Sequence, residues 1–574
     1  MTNVLFHRAG SFAAHDGRTV VVLSFAAGQD SSTLSDRLRA NGHLRDGVVL
    51  RNLWEDLADY DSHELASLKG RGQVSKLPAL PKSHTAQETL GGRAMDYIED
   101  GSGRLLRREH LRRDGSVSVI DDRVSAKRTF TLMGRAGESL AQWRSARGLY
   151  FAWLDHVTGV DPCILINDSK YAGGFLWAYQ RSNARVVHVH HSIHLSVGAT
   201  LNGPYPKSRL GVLRNHEQYD LVTFLTHRQL SDFAATGIDT RNTAVIPNSR
   251  AQAPTEVGDH IRGRGACLAR LTPDKQVDHQ VRAVSALAQS HHNLSLDVFG
   301  NGTESGRLER LIGESSGAGR VHLRGFVPGA AKELANYDFL MLTSKYEGMG
   351  LVLLEAMATG CIPISYDIRY GPSDIITDGV DGILVADRTV EGLKAALERY
   401  LSLDDETVAK MRSAARRRAA DFSDEAVTKT WGKYLSNLPT RTPVGGQATD
   451  HGDLVITGFD SDGDDLLVSC SGTPTSESVT HGLALVVSST NERSFTKLRA
   501  DISAQDNQGV IRIPRGSFAG KENAPFTMSW QLVGAPWASQ APVRLAPGVG
   551  APLRVGAYSV GVAEDGAVTL AVTG

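Results

Sequence analysis

The densest group of residues able to do chemistry lies between Ser344 and Ile376, SKYEGMGLVLLEAMATGCIPISYDIRYGPSDII. An apolar run, FLMLTS, delivers the chain into Glu347-Gly348-Met349-Gly350, and a helix over Leu351 to Thr359 is expected to follow at once. The first-turn amides of such a helix have no partners within it and stand at its positive end, so they suit a phosphate. The glycines let the backbone approach a ligand closely. Glu347 in the loop and Glu355 on the helix are two carboxylates able to accept hydrogen bonds from hydroxyls at opposite ends of a sugar nucleotide. An isolated pair of this kind reads more simply as an ordinary strand–loop–helix with Glu355 solvated on its outer face.

A second group precedes it. Arg270-Leu-Thr-Pro-Asp-Lys275 follows the run GACLARL, with Pro273 and Asp274 as helix-start signals. Both cations are therefore expected at the carboxyl end of a sheet, where open α/β folds bind ligands. A guanidinium and an ammonium converging there can hold a diphosphate and neutralise it as it leaves. A further glycine turn, Phe299-Gly300-Asn301-Gly302, lies downstream. The segment His188-Val-His-His-Ser-Ile-His194 follows another buried run. Its His-x-x-His spacing allows a metal reading, but no Cys or carboxylate completes a ligand set, so no metal is assigned and packing histidines are the simpler account. Arg104 to Arg113 holds five arginines and one glutamate, either a solvated face or a strip that tracks phosphates. Asp460, Asp462, Asp464 and Asp465 do not meet the calcium-loop pattern and read as a turn.

The elements that must position these groups are α/β in pattern. Thr19 to Phe25 reads as a strand buried on both faces, Ser32 to Asn41 as a helix and Val48 to Leu53 as a strand. From about Glu88 to Phe130, Asp-Gly and Gly-Ser turns predict inserted antiparallel hairpins. A helix is expected near Ala136 to Arg147, after which CILIND, VVHVHHS and LVTFLT resume the buried strands. A second α/β unit starts near Gly265 with GACLARL, LSLDVFG, VHLRGF, FLMLTS, IPISYD and GILV; helices over Ser413 to Ala420 and Ser423 to Leu435 follow, the latter with Trp431 inward. Beyond Asp453 the apolar residues alternate with period two, predicting an antiparallel β-sandwich. The expected domains are 1–250 (insert about 88–130), 251–437, a linker at 438–452, and 453–574.

Composition sets the outer bounds. In 574 residues, 62 basic and 63 acidic side chains leave a formal charge of −1, so no global field recruits nucleic acid. Hydrophobic residues are 41% and charged residues 22%, which is ordinary for a globular protein. Four scattered cysteines give no disulfide framework or zinc set, and with no secretory leader pattern the expected place is the cytoplasm.

The succession R-x4-K, G-N-G, G-F-V and E-G-x-G-L-x-x-x-E-A-x-A-x-G-x-x-P over Gly265 to Val385 resembles the retaining nucleotide-sugar glycosyltransferases of the GT-B fold, glycosyltransferase family four. That resemblance implies two Rossmann-like domains facing a cleft. It implies that Arg270 and Lys275 hold the donor diphosphate. Glu347, with Gly348, Met349, Gly350 and Leu351, grips the transferred sugar and distal phosphate, Glu355 the ribose, and Gly325, Phe326 and Val327 border the base, with Gly300 a further donor-binding residue. A histidine after the first-domain strand faces the reacting sugar, and the HSxH pattern maps this to His191, with His194 second and His190 third; His194 is also an acceptor-binding candidate.

Residues 1 to 437 resemble more narrowly the poly(glycerol-phosphate) α-glucosyltransferases that decorate wall teichoic acid, through Arg8 to Leu57, the hairpin insert and DIRYGPSDII. This implies transfer of glucose or N-acetylglucosamine from UDP-glucose or UDP-N-acetylglucosamine to a polyanionic polyol-phosphate polymer, with no cofactor and no metal. Arg107 and Arg108 become acceptor-binding candidates. Work at the inner face of the membrane and a homo-oligomer are compatible with it. The rivals are a lipid, small glycoside or protein acceptor, and a degenerate scaffold that binds sugar without catalysis. Such enzymes open with a strand and a glycine pair of the type G-G-M-T, whereas this chain opens Met1-Thr2-Asn3, so the expectation is a native start further upstream.

Overall fold

The computed structural model describes all residues except 1, 41, 43, 69, 71–73, 126, 196–203, 237, 239, 251–259, 316, 318, 439–452, 474, 476–482, 490–493, 504–506, 519–524, 533–539, 565 and 573–574. Met1 and nearly all of the expected linker thus lie outside the described residues. Two compact units emerge. One holds Met1–Ile164 with Arg181–Ala184, the other Leu165–Gln180 with Arg185–Gly574.

The first unit opens with α1 (Thr2–Asp16), β1 (Val20–Ser24), α2 (Ser31–Ala40), β2 (Val48–Asn52), α3 (Leu53–Asp59) and α4 (Ser62–Ser67). β1 and β2 form a parallel pair, Val20 opposite Val48. Phe6 and Ala9 of α1 and Leu38 of α2 pack with Val22 and Val48. The other face is open, with Val21 and Val49 44% and 46% exposed, so the expected burial of this strand on both faces is corrected to burial on one. β3 (His84–Thr89), β4 (Ala94–Glu99), β5 (Leu105–Leu111), β6 (Val117–Asp122), β7 (Thr129–Met133) and β8 (Ser139–Trp143) make a six-stranded antiparallel meander, followed by α5 (Ala146–Thr158). β8 occupies the middle of the stretch expected as a helix from Ala136 to Arg147. A turn closed by Gly137 N–H on the Gly134 carbonyl sends the chain back along β7, pairing Leu132 with Ala141 and burying Ala141 and Trp143.

The second unit takes over within β9 (Cys163–Asn167), continuing through α6 (Lys170–Gly173), β10 (Ala184–His190), α7 (Lys207–Arg214), β11 (Leu221–Phe224), α8 (His227–Ala234) and β12 (Thr243–Val245). Its sheet order is β12-β11-β10-β9. Next come β13 (Ile261–Leu268), α9 (Val277–Leu287), β14 (Ser295–Phe299), α10 (Ser305–Gly313), β15 (Val321–Gly325), β16 (Tyr337–Leu342), α11 (Leu351–Thr359), β17 (Ile362–Tyr366), α12 (Pro372–Ile375) and β18 (Ile383–Val385). These strands form a parallel sheet in the order β15-β14-β13-β16-β17-β18. The order reverses between β13 and β16, so the loops leaving those two strands flank a crevice. The helices α13 (Val390–Leu401), α14 (Asp405–Ala420) and α15 (Asp424–Leu435) follow, with Trp431 buried as expected.

The C-terminal part of this unit is β-rich. β19 (Val455–Asp462), β20 (Asp465–Ser471), β21 (Leu483–Ser489), β22 (Phe495–Ala500), β23 (Gln508–Ile513), β24 (Phe526–Leu532), β25 (Ala541–Pro542), β26 (Leu553–Val555), β27 (Tyr558–Val562) and β28 (Val568–Val572) lie in two antiparallel sheets. Ile456, Val468 and Ile511 of one sheet share a core with Leu485, Trp530 and Leu570 of the other. The acidic hairpin of β19 and β20 is closed by arginines: Arg512 pairs with Asp462 and Asp465, and Arg515 with Asp464. The β-rich part is tied back to α7 and α8. Lys497, almost fully buried, donates to the Arg214 carbonyl at 2.9 Å, and Thr496 Oγ1 donates to the Thr236 carbonyl at 2.7 Å.

Candidate active site

The loops leaving β13 and β16 meet at Lys275 and Glu347. Lys275 Nζ donates to Glu347 Oε1 at 2.5 Å, and Ser344 Oγ donates to the same oxygen at 2.7 Å. Backbone bonds hold both loops in place: Lys345 N–H donates to the Asp274 carbonyl, and the Thr343 hydroxyl to that of Lys275. A cavity of about 240 Å³ opens here, lined by Arg270, Lys275, Ser344, Glu347, Gly350 and Leu351 among others. Arg270 stands exposed at its edge. Gly350 adopts a left-handed conformation, φ 83°, directly before α11. That turn leaves the first amides of α11 uncapped by any side chain, at the positive end of the helix.

The other predicted donor residues fall around this crevice. The Gly300 amide donates to the Gly325 carbonyl at 2.8 Å, joining the turns after β14 and β15. A Cβ on Gly300 would stand 1.8 Å from the Ala269 carbonyl oxygen, so only glycine fits. Phe326 is 72% exposed and Val327 also lies open, an apolar surface of the kind on which a base can stack. Met349 is buried, its sulfur 3.3 Å from the Asn248 amide. Glu355 is not left to solvent: Arg250 Nη2 pairs with its Oε1 at 2.7 Å.

The sheet of β9 to β12 brings His191 to the same place. Gly348 lies against the backbone of His191 and Ser192, and a Cβ there would meet the His191 carbonyl oxygen at 2.2 Å. His191 Nε2 lies 2.5 Å from Asp168 Oδ1, both side chains 6% exposed. Asp168 follows β9 and His191 follows β10, so neighbouring strands create a pair that sequence spacing hides. The remaining histidines are buried. His188 meets Asn167 Nδ2 through its Nδ1, and His190 stacks on Phe224. His194 is enclosed between Phe233 and Tyr370 and is not among the cavity residues. Burial keeps all three neutral, His188 and His194 pushed down to about 3 and His190 well below the ordinary value.

The segment DIRYGPSDII locks the two parallel sheets together. Asp374 accepts from the His227 amide at 2.6 Å, Arg228 pairs with Asp367 at 2.5 Å, and Arg369 with Asp232 at 3.0 Å. Glu347 N–H donates to the Arg369 carbonyl and Tyr370 N–H to that of Glu347, so this lock also seats the loop that carries Glu347. Arg107 and Arg108 belong to the other unit. Arg107 grips Asp122 and the Pro78 carbonyl, and Arg108 makes a bidentate pair with Asp96. Among the described residues, no three His, Cys, Asp or Glu side chains gather as a metal set, and no helix is long and apolar enough to cross a membrane.

Two parallel α/β sheets joined at a glycine-lined crevice are the architecture of the GT-B fold. The comparisons agree with it. Residues 266–418 match the family Glycosyl transferases group 1, and the chain carries a domain of that family. It is similar to a poly(ribitol-phosphate) α-N-acetylglucosaminyltransferase of Staphylococcus aureus, 26% identical over 43% of this chain and 49% of that protein. It is also similar to a poly(glycerol-phosphate) α-glucosyltransferase of Bacillus subtilis, 27% identical over 38% of this chain and 33% of the other. The matched chain thus spans about half or less of the length of these relatives. Among solved structures, S. aureus TarM in complex with fondaparinux, α-GlcNAc-glycerol and UDP shares the fold, at TM-score 0.57 and 17% identity over 76% of this chain and 96% of that one.

Proposed function

We propose that the chain moves a hexose, glucose or N-acetylglucosamine, from a UDP-sugar to hydroxyls of a polyol-phosphate polymer, with retention of the α configuration. The observation that carries this is the Lys275–Glu347 pair in the crevice between β13 and β16, with the uncapped start of α11 beside it. An arriving diphosphate offers Lys275 a better partner than one carboxylate, and Arg270 and the α11 amides add to its hold. Glu347, steadied by Ser344, is then free to accept from sugar hydroxyls. Arg250 orients the Glu355 carboxylate, the group proposed to meet the ribose.

As the glycosidic bond breaks, negative charge grows on the leaving phosphate, where the two cations and the helix start stabilise it most. Among the described residues lining the cavity the carboxylate is Glu347, and it is engaged by Lys275 and Ser344. This favours attack by the acceptor hydroxyl on the face the diphosphate is leaving, rather than a covalent glycosyl-enzyme. With fixed cations in the role of charge carriers, the proposed reaction needs no metal.

The test is UDP release from UDP-glucose and from UDP-N-acetylglucosamine, with and without glycerol- and ribitol-phosphate polymers, in buffer with and without EDTA. Polymer-dependent release that EDTA leaves intact is the expected result. Release driven instead by a lipid or peptide acceptor would move the acceptor assignment, and sugar-nucleotide binding with no release under any condition would leave a non-catalytic sugar-binding module.

A further inference from the structure

Arg209 is a buried cation without a counter-ion. It lies on α7, whose buried residues are Arg209, Val212 and Leu213, three and four positions apart and so on one helix stripe. That stripe faces the carboxyl ends of β9 and β10. A Cβ on Gly173 would stand 2.7 Å from Val212 Cγ2 and 2.8 Å from His188 Cε1, which fixes the packing of α7 on this corner. Arg209 is 8% exposed, and among the described residues no carboxylate, hydroxyl or carbonyl oxygen pairs with its guanidinium. Its charge is felt at His188, His190 and His194, all neutral, and the nearby Asp168 carboxylate is taken by His191. Elsewhere the chain closes comparable charges, Arg107 on Asp122 and Arg412 on Asp338.

An unpaired guanidinium in such a place is costly unless an anion joins it. We propose that Arg209 anchors a phosphodiester of the polyol-phosphate acceptor beside His191. The planar fork of the guanidinium matches two phosphate oxygens. In a polyol-phosphate each free hydroxyl stands a few bonds from a phosphate, so fixing one phosphate delivers a neighbouring hydroxyl to the reacting sugar. The donor diphosphate is the other source of such an anion, but it has Lys275, Arg270 and the α11 amides on the opposite sheet. The inference rests on the proposed transfer reaction for its acceptor, while the anion site itself can be tested without turnover.

Arg209→Gln and Arg209→Lys in the full chain separate the two sources. The expected result is a rise of about tenfold or more in the polymer KM for Gln, less for Lys, with the donor KM moving by less than about twofold. An equal rise in the donor KM assigns the guanidinium to the donor and overturns the proposal, as does no change in either. Thermal melting with glycerol 3-phosphate or inorganic phosphate gives the second readout. The wild-type Tm should rise with glycerol 3-phosphate, whereas Arg209→Met should start about 2 °C or more higher and lose that response. If no polymer is turned over, this arm still decides: stabilisation of the wild type that Arg209→Met abolishes keeps the anion site and discards only the transfer reaction. A wild-type Tm indifferent to both phosphates overturns the site.

Discussion

Gly348 and His191 touch through their backbones: a Cβ on Gly348 would lie 2.2 Å from the His191 carbonyl oxygen and 3.5 Å from Ser192 Cα. The glycine loop of one parallel sheet therefore rests on the strand end of the other, and no flexible side chain can yield to relieve a clash there.

Gly348→Ala must push the two strand ends apart. Displacing reacting groups by about 1 Å costs on the order of a hundredfold in rate. The expected outcome is a loss of that size in kcat with donor binding reduced less, measured by UDP release and by titration of UDP. Turnover near the wild-type level would mean that the two sheets do not work as one site.

Lys275→Ala and Glu347→Gln test the central pair. Losing a cation that stabilises the leaving group is worth about 10²–10³ in kcat. Lys275→Ala leaves the half-buried Glu347 with Ser344 as partner, so its thermal stability should fall only slightly while its rate collapses. Glu347→Gln should keep diphosphate affinity, since Lys275 is then freed for the phosphate, and lose sugar-dependent affinity. Comparing UDP with UDP-glucose in a binding titration reads the difference directly. Equal affinities for UDP-glucose in Glu347→Gln and the wild type would remove Glu347 from the sugar.

What the sequence made legible follows from how local each signal is. The inner strands β16 and β17 read as largely apolar runs because both of their faces are covered. The glycine turns stood out because only glycine tolerates the approach of the Ala269 carbonyl to Gly300 or the left-handed backbone at Gly350. Asp168 was not singled out, since its partner His191 lies 23 positions away on the next strand and nothing in their spacing marks the pair. β8 reads locally as helix because Leu, Ala and Gln favour helices, whereas pairing with β7 decides the outcome. The arginine run of β5 reads from the sequence as a solvated face or a phosphate-tracking strip; the carboxylates that engage Arg107 and Arg108, Asp122 and Asp96, sit on the flanking strands, where only the register reveals them.

Asp168 should act as a positioning residue for His191. With Nε2 against a carboxylate, the imidazole is held in one orientation and its Nε2 proton is fixed. Asp168→Asn should lower kcat by about 10–100-fold while leaving donor KM and thermal stability close to the wild type. Asp168→Glu should recover part of the loss. A variant with normal kcat but a raised donor KM would make Asp168 a binding residue instead.

Stability against acid should carry the mark of the buried histidines. His188, His190 and His194 are neutral in the folded chain, chiefly because burial opposes their charge and also because Arg209 lies nearby. Unfolded, each returns to the ordinary value near 6.5. Between about pH 3 and 6.5 the unfolded chain therefore binds protons that the folded chain refuses. The stability is complete above the unfolded value and drains away as pH falls, by up to about 1.4 kcal/mol per pH unit for each histidine. Urea unfolding between pH 7.5 and 5 should show this slope. His194→Phe keeps an aromatic ring between Phe233 and Tyr370 and removes one titrating group. Its slope should be shallower by one histidine's share, and a slope equal to that of the wild type would show that His194 is not held neutral in the folded chain.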